Sequence, residues 1–290
     1  MSATAPSAID ELVAHAPVLL DGAWGTQLQA LGTPTSRRPD VLNLLHPERV
    51  ATVARGYVEA GSHIILTNTF QANRLALGDD GGDAGAINRA GAEISCRAAG
   101  TQAKVFGSMG PSNKLLITGE IGEDELADVF GEQASALAEG GVDGLVIETM
   151  SDLAEAEIAL RAAKTTGLPV VACMTYDTGK RNDRTMMGVR PGEAATALAA
   201  AGADVIGANC GAGIDVAAPI CDALVAATTT PVWIKANAGA PDLVDREVVY
   251  AMTPDEFAGH ALAVIAAGAT FIGGCCGTTP EFIGVLASRL

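Results

Sequence analysis

Three of the six cysteines stand where short apolar segments end. Cys275 and Cys276 are adjacent and follow the run Phe-Ile-Gly-Gly at 271–274, and Cys210 follows the run Val-Ile-Gly-Ala-Asn at 205–209. Thiolates are soft ligands that favour zinc. A structural zinc site closes all four positions with protein ligands, whereas a catalytic site leaves one position open. Thiols brought together from two strand ends therefore predict a catalytic zinc site.

The remaining cysteines, Cys96, Cys173 and Cys221, have no such context. Cysteine is among the most buried residue types, and a lone one inside a predicted helix or strand is usually an inert small hydrophobe. That role stays the alternative for the strand-end thiols. A disulfide between Cys275 and Cys276 is a second alternative, but neighbouring residues form one only with strain. No secretory signal places the chain in an oxidising compartment, so the metal site is favoured.

The elements that must position these thiols alternate regularly. Runs rich in Val, Ile and Leu are typical of strands buried on both faces of a parallel sheet. The predicted strands cover residues 17–21, 63–69, 104–109, 144–149, 169–176, 204–209, 231–237 and 270–275. The predicted helices cover residues 48–60, 84–99, 123–139, 152–166, 191–201, 214–227, 254–267 and 280–289, with a short helix near 7–15.

Eight β–α units in 290 residues predict an α/β fold, the (β/α)8 TIM barrel, as a single domain over residues 1–290. An open doubly wound sheet would usually carry a phosphate-binding glycine fingerprint after its first strand, and none is present. Reactive residues of a TIM barrel lie at the C-terminal ends of its strands. Cys210 would end strand 6 and the Cys275–Cys276 pair strand 8, with Asn237 ending strand 7 between them. The zinc site is thus expected at the C-terminal ends of strands 6 and 8.

Six short motifs follow one another along the chain. They are Asp-Gly-Ala-Trp-Gly-Thr-Gln-Leu at 21–28, Thr-Asn-Thr-Phe at 67–70, Ile-Glu-Thr at 147–149, Asn-Cys at 209–210, Asn-Ala-Gly at 237–239 and Gly-Gly-Cys-Cys-Gly at 273–277. This ordered set resembles the homocysteine S-methyltransferase family. That family includes the homocysteine-binding module of cobalamin-dependent methionine synthase and betaine–homocysteine methyltransferase. The resemblance extends over residues 17–288.

The resemblance implies a zinc ion held by Cys210, Cys275 and Cys276, which act in catalysis through that ion. It also implies that Asn237 can occupy the open zinc position when substrate is absent. A strand-end asparagine that bonds nearby backbone is an equal alternative for Asn237. The implied reaction moves a methyl group to the thiol of homocysteine and gives methionine.

Homocysteine carries an ammonium and a carboxylate, and buried acids at strand ends could recognise the first of these. We expect Glu148, together with Asp21 or its adjoining backbone, to pair the ammonium, and the amides of 22–25 and 108–110 to hold the carboxylate. In the alternative, Asp21 caps its turn and Glu148 forms an internal ion pair, for example with Lys235. The expected substrate-binding residues are Asp21, Gly22, Thr69, Ser108 and Glu148.

Composition narrows the range of partners. The formal net charge of −16 argues against binding to nucleic acid or to anionic membrane surfaces. Hydrophobic residues make up 49% of the chain, enough for a large core. The N-terminus has neither a basic region nor a long apolar core. We therefore expect a cytoplasmic protein with no nucleic-acid or membrane partner.

The expected class of methyl donor depends on which cofactor-binding segments the sequence indicates. The sequence indicates no cobalamin-binding or pterin-binding segment, so the donor is expected to be a small free sulfonium or betaine compound, a methylfolate, or a separate methyl-corrinoid protein. One alternative is a zinc methyltransferase subunit of a corrinoid system with a different thiol acceptor. Another is a non-catalytic barrel in which zinc is structural.

Overall fold

A computed structural model describes residues 8–34, 36–78, 81–244 and 247–290 of the chain. Residues 1–7, which belong to the segment in which no targeting signal was expected, lie outside this description. In the described residues the strands are β1 (Val18–Leu19), β2 (Ile64–Leu66), β3 (Lys104–Met109), β4 (Gly144–Met150), β5 (Val170–Met174), β6 (Val205–Cys210), β7 (Val232–Ala236), β8 (Asp242–Val244), β9 (Glu247–Val249) and β10 (Phe271–Gly274).

Eight of these strands are parallel and form one sheet in the order β1-β10-β7-β6-β5-β4-β3-β2. A parallel bridge between Leu20 and Ile64 joins the two edges of the sheet. The His63 N–H also donates to the Leu19 carbonyl at 2.7 Å across the same seam. The sheet therefore closes into the predicted (β/α)8 barrel, and the expected fold class is confirmed.

The long helices cover the outside of the barrel, whereas α1 packs against its apolar interior. In the described ranges they are α1 (Ala8–Val13), α2 (Gly25–Ala30), α3 (Leu42–Leu45), α4 (Pro47–Glu59), α5 (Arg74–Leu77), α6 (Ala84–Ala99), α7 (Glu123–Glu139), α8 (Leu153–Lys164), α9 (Pro191–Ala200), α10 (Ala217–Ala227), α11 (Pro254–Ala266) and α12 (Pro280–Ala287). Each of these helices is too short or too polar to cross a membrane. The start of α11 shows how the sequence fixes a boundary, because Thr253 and Glu256 form a reciprocal capping box.

Strands β1 and β2 are shorter than the sequence pattern indicated. Near their C-terminal ends, side-chain oxygens accept backbone hydrogen bonds that a neighbouring strand would otherwise accept. The Leu66 N–H donates to Asp21 Oδ2 at 2.8 Å, and the Ser108 N–H donates to Thr67 Oγ1 at 2.9 Å. The polar residues that follow these strands thus replace ladder hydrogen bonds and end the regular sheet where the pocket begins.

The barrel interior is apolar in the middle of the strands and polar toward their C-terminal ends. Inward-facing aromatic rings fill the apolar layer, with the Trp233 centroid 6.2 Å from that of Phe106 and 5.4 Å from that of Phe271. Side chains alternate between the faces of a strand, so the residue two positions further on also points inward. By this rule Lys235 follows Trp233 and Ser108 follows Phe106. The tertiary fold therefore brings polar side chains together in one layer, on the C-terminal side of the packed aromatic layer.

Candidate metal centre and substrate pocket

Three cysteines converge at the C-terminal end of the barrel. Cys210 is the last residue of β6, and Cys275 and Cys276 follow β10 directly. The three Sγ atoms lie within 4.8 Å of one another, and those of Cys210 and Cys276 are 3.9 Å apart. Ligand sulfurs at about 2.3 Å from a tetrahedral zinc ion are about 3.8 Å apart. The sulfur set therefore fits one tetrahedral ion with a fourth position left for another ligand.

Strand β7 sets the spacing between the two cysteine segments. Cys210 is in register with Ala236, and the Cys275 N–H donates to the Ala236 carbonyl at 2.7 Å. Cys210 has a φ of 59°, which is uncommon for a residue with a side chain and recurs at functional sites. Gly211 continues this left-handed turn with a φ of 70°. The turn ends the strand sharply and leaves the thiol at the tip of the strand.

A tight turn holds the vicinal pair. Thr278 Oγ1 donates to the Cys275 carbonyl at 2.7 Å and accepts from the Ala23 N–H at 3.1 Å, which ties the turn to the segment after β1. Gly277 has a φ of 82°, and a Cβ there would lie 2.3 Å from Cγ of Tyr250. Only glycine fits this approach.

Tyr250 is a residue that sequence reasoning missed. It follows the antiparallel hairpin of β8 and β9, which was not predicted, and it lies close enough to Cys276 to help lower the pKa of that thiol. The signal that could have revealed the hairpin is weak: two short apolar-rich segments between the seventh barrel strand and the next helix. Three-residue strands fall below the length at which alternation can be recognised.

The pKa values of the three thiols differ. Hydrogen bonds from Cys210 and Cys275 are the largest causes that lower the pKa of Cys276 well below the usual value of a thiol. Hydrogen bonds with Cys275 and Cys276, followed by burial, raise the pKa of Cys210. The hydrogen bond with Cys210 lowers the pKa of Cys275, but contact with Cys276 and burial outweigh it and raise that pKa to about 11. Negative charge is therefore favoured on one sulfur, and a bound cation would stabilise it on the other two.

Asn237 lies beside this cluster, one residue beyond β7. Its Nδ2 donates to the Gly211 carbonyl at 2.8 Å, and the next residue, Ala238, donates its N–H to the Cys276 carbonyl at 3.0 Å. Its Oδ1 is buried and has no hydrogen-bond partner within the described part of the chain. A buried acceptor without a partner is costly. Asn237 therefore offers an oxygen that a metal ion or a substrate could use.

A pocket of about 240 Å³ opens beside the sulfurs. Its lining combines backbone near β1 with side chains from several strand ends and includes Gly22, Trp24, Asp40, Thr69, Phe70, Ser108, Glu148, Lys235, Cys210, Cys275 and Cys276. A larger open groove, of about 1130 Å³, lies at the opposite end of the barrel, where TIM barrels do not carry their chemistry. The smaller pocket is therefore the candidate substrate site.

Glu148 lies on the pocket wall, 6% exposed, and is held by neutral donors. Its Oε1 accepts from Ser108 Oγ, and its Oε2 accepts from Asn209 Nδ2 at 3.2 Å. The Asn209 side chain is fixed in turn, because its Oδ1 accepts from the Thr149 N–H at 2.6 Å. Burial raises the pKa of Glu148 to about 7, against the opposing effect of Lys235. Glu148 is therefore a carboxyl group with no ion-pair partner among the described residues.

Lys235 pairs with Asp21 instead of Glu148. Its Nζ lies 3.2 Å from Asp21 Oδ1 and donates to the Gly22 carbonyl at 2.8 Å. Asp21 Oδ2 accepts from Trp24 Nε1 and from the Leu66 N–H, both at 2.8 Å. Burial raises the pKa of Asp21, and Lys235 is the largest opposing influence. Asp21 is fully buried and does not line the pocket, so its place is that of an internal counter-ion.

Gly22 and Thr69 border the pocket but are engaged within the protein. A Cβ on Gly22 would lie 2.6 Å from Thr278 Oγ1 and 2.7 Å from the Tyr57 hydroxyl, so this position admits no larger residue. Thr69 Oγ1 donates to the Ser108 carbonyl at 2.7 Å. These two residues therefore shape the pocket by packing and by fixing the ends of β1 and β3.

The sequence is similar to that of one protein family and of several known proteins. The family described as homocysteine S-methyltransferase matches residues 18–290. A methionine synthase of Mycobacterium tuberculosis (strain ATCC 25618 / H37Rv) is 35% identical over 291 residues, 93% of this chain. A methionine synthase of Mycobacterium leprae (strain TN) is 33% identical and covers 97% of this chain. The chain spans only about a quarter of these relatives, 24% and 25% of their lengths.

Solved structures support the fold. The metallated form of the homocysteine methyltransferase MmuM from Escherichia coli matches with a TM-score of 0.80 at 24% identity, covering 97% of this chain and 99% of that one. Its oxidized form matches with a TM-score of 0.80 at 23% identity, covering 96% and 98%. At this identity the likeness concerns the barrel alone. The family match over residues 18–290 decides the relationship: the chain belongs to the homocysteine S-methyltransferase family.

Proposed function

We propose that this chain is a zinc-dependent methyltransferase that moves a methyl group to the thiol of homocysteine and forms methionine. The observation that carries the proposal is the convergence of three sulfurs, within 4.8 Å of one another, on one wall of a pocket that also contains Glu148. Family membership supports the same reaction.

The residues Cys210, Cys275 and Cys276 would hold the zinc ion, with Asn237 beside the open position. A free thiol with a pKa of about 8.5 is only about 3% thiolate at pH 7, and the thiolate is the nucleophile. Zinc, when bound, would keep the substrate sulfur deprotonated at neutral pH. Three thiolate ligands give the site a net negative charge, which would leave electron density on the attacking sulfur.

Glu148 would bind the substrate ammonium. Ser108 and Asn209 orient its two oxygens, and a buried carboxylate without an ion partner gains most from a cation. The fixed distance between the sulfur cluster and Glu148 would then select an acceptor with a thiol at one end and an ammonium at the other.

The methyl donor would enter the same pocket, whose lining includes Trp24 and Phe70. The proposed donors are a small sulfonium or betaine compound, a methylfolate, or a methyl-corrinoid protein. A sulfonium or quaternary ammonium carries an activated methyl group. Its positive charge also suits a pocket lined by Asp40, Glu148 and three thiols.

The experiment combines metal analysis with a donor panel. Purified protein should bind about one zinc per chain. Zinc-loaded protein should convert homocysteine to methionine with at least one of S-methylmethionine, S-adenosylmethionine, betaine, methylfolate or a methyl-corrinoid protein. Methylation of another thiol, with homocysteine untouched, would favour the alternative acceptor. Bound zinc with no affinity for any thiol would favour a structural ion.

A further inference from the structure

Lys235 is the one basic residue among those that line the pocket in the described part of the chain. Its side chain is 2% exposed and rises from the middle of the barrel, two residues beyond Trp233. A lysine is almost never fully buried unless it is paired, and Asp21 is its ion-pair partner here. The proposed reaction so far assigns it neither a ligand nor a substrate contact.

The ammonium of Lys235 has more donors than internal acceptors. It carries three N–H groups. One donates to the Gly22 carbonyl at 2.8 Å, and one faces Asp21 Oδ1 at 3.2 Å. No other acceptor for Nζ is found among the described residues. One N–H of a buried cation on the pocket wall is therefore left for a ligand, and the ligand group it favours is an anion.

Three of the seven backbone amides expected to hold a carboxylate are engaged within the protein. The Ala23 N–H donates to Thr278 Oγ1 at 3.1 Å. The Ser108 N–H donates to Thr67 Oγ1 at 2.9 Å, and the Gly110 N–H donates to the Phe70 carbonyl at 2.7 Å. At these three amides a substrate carboxylate would have to displace an existing bond, whereas Lys235 offers a charged donor beside them.

We propose that Lys235 binds the carboxylate of the amino-acid acceptor while Glu148 binds its ammonium. The pocket would then present one negative and one positive group to the two ends of a zwitterion, with the sulfurs fixing the third point. Asp21 would act as a positioning residue that holds Lys235 by their ion pair and does not touch the substrate. This inference rests on the proposed function and refines its substrate class to free α-amino acids with a terminal thiol.

Three thiols of similar length make it possible to test recognition of the ammonium and of the carboxylate separately. Homocysteine has both charged groups, 4-mercaptobutanoate lacks the ammonium, and 3-aminopropanethiol lacks the carboxylate. Their dissociation constants would be measured by calorimetry on zinc-loaded protein. Wild-type protein should bind 4-mercaptobutanoate more tightly than 1-propanethiol, which has neither charge. Equal affinity for these two thiols would overturn the inference without any variant.

The variants remove Lys235 without leaving Asp21 as an unpaired buried charge. Asp21→Asn alone is the matched control, and the double variant Asp21→Asn, Lys235→Met is compared with it. The double variant should lose at least about tenfold in affinity for homocysteine and for 4-mercaptobutanoate, since their carboxylate loses its partner. Its affinity for 3-aminopropanethiol should stay unchanged or increase, because a cation near the ammonium has been removed.

Two results would overturn the inference in distinguishable ways. If the double variant loses affinity equally for all three thiols, Lys235 serves the charge balance of the thiolate cluster; the inference fails while the proposed function stands. If zinc-loaded wild-type protein binds no thiol, the proposed function fails with it. Equal zinc content in wild type, control and double variant, measured by metal analysis, ensures that the comparison concerns the amino-acid end.

Discussion

Replacing Glu148 with Gln tests how the pocket recognises the substrate ammonium. The substitution keeps the size of the side chain. The new amide oxygen can accept from Asn209 Nδ2, and the new amide nitrogen can donate to Ser108 Oγ, so both contacts that orient Glu148 can persist. What disappears is the negative charge. The fold and the metal content should therefore be retained, because Glu148 does not contact the sulfurs as a ligand.

The expected loss follows from the loss of the proposed partner of the substrate ammonium. Asp21 is already paired with Lys235 at 3.2 Å and does not line the pocket, so it does not replace Glu148. Leaving one member of a buried charge pair alone costs about 2–5 kcal/mol. Homocysteine should therefore bind about 30-fold to several thousandfold more weakly to the variant. A thiol without an ammonium, 4-mercaptobutanoate, should lose little.

The pH dependence provides a second measure of the same contact. Burial raises the pKa of Glu148 to about 7, and only the ionised carboxylate attracts the ammonium. Homocysteine affinity of the wild type, relative to that of Glu148→Gln, should rise about tenfold from pH 6 to pH 8. Deprotonation of the substrate thiol affects both proteins alike and cancels in this ratio.

Calorimetry at pH 6, 7 and 8 with both thiols gives these values, and thermal unfolding checks the fold. If Glu148→Gln weakens homocysteine and 4-mercaptobutanoate equally, recognition of the ammonium by this carboxylate is refuted. A lowered melting temperature together with equal losses would identify Glu148 as part of the scaffold.

Three further predictions concern the metal, the substrate thiol and stability. The double variant Cys275→Ala, Cys276→Ala should lose zinc and activity but stay folded, whereas Cys96→Ala should keep both; full zinc retention in the double variant would rule out this metal site. Homocysteine binding should release a proton near neutral pH, seen as a buffer-dependent enthalpy in calorimetry, and no dependence on buffer would mean that the thiol is not metal-bound. Burial raises the pKa of Asp40 to about 6, so the stability present below about pH 4 is lost as pH rises through 6. Asp40→Asn can still accept a hydrogen bond from the Gln71 N–H. The substitution should raise the free energy of unfolding by up to about 3 kcal/mol at pH 8 and by little at pH 4. Denaturant unfolding at both pH values measures this difference, and a difference that is the same at pH 4 and pH 8 would contradict the prediction.

The repeating pattern of the chain was sufficient to predict the fold. Parallel strands buried on both faces read as continuous apolar runs, and helices between them have their own period, so eight β–α units could be counted without tertiary information. Boundaries of the long helices were close, as for α6 at Ala84–Ala99 and α7 at Glu123–Glu139. The family assignment also followed from ordered motifs, and the sequence match over residues 18–290 confirms it.

The elements that surround the pocket were harder to predict. The hairpin of β8 and β9 and the short helices α2, α3 and α5 lie in loops after barrel strands. Segments of three to six residues contain too few periods for hydrophobic patterning to be diagnostic. Tyr250 packs against Gly277 from the end of this hairpin, a contact that only the folded loop creates.

The amino-acid sequence by itself determined that thiols and acids stand at the ends of buried strands, because strand period and strand order place them there. The partners of the buried charges were decided only by tertiary structure. The sequence offered Glu148 as a candidate to pair with Lys235, but the structure joins Lys235 to Asp21 and surrounds Glu148 with neutral donors. Ion pairing depends on distances of a few ångströms, here between Lys235 and Asp21, which are 214 residues apart in the chain. Local sequence carries no measure of such distances, whereas the register of closed parallel strands fixes them.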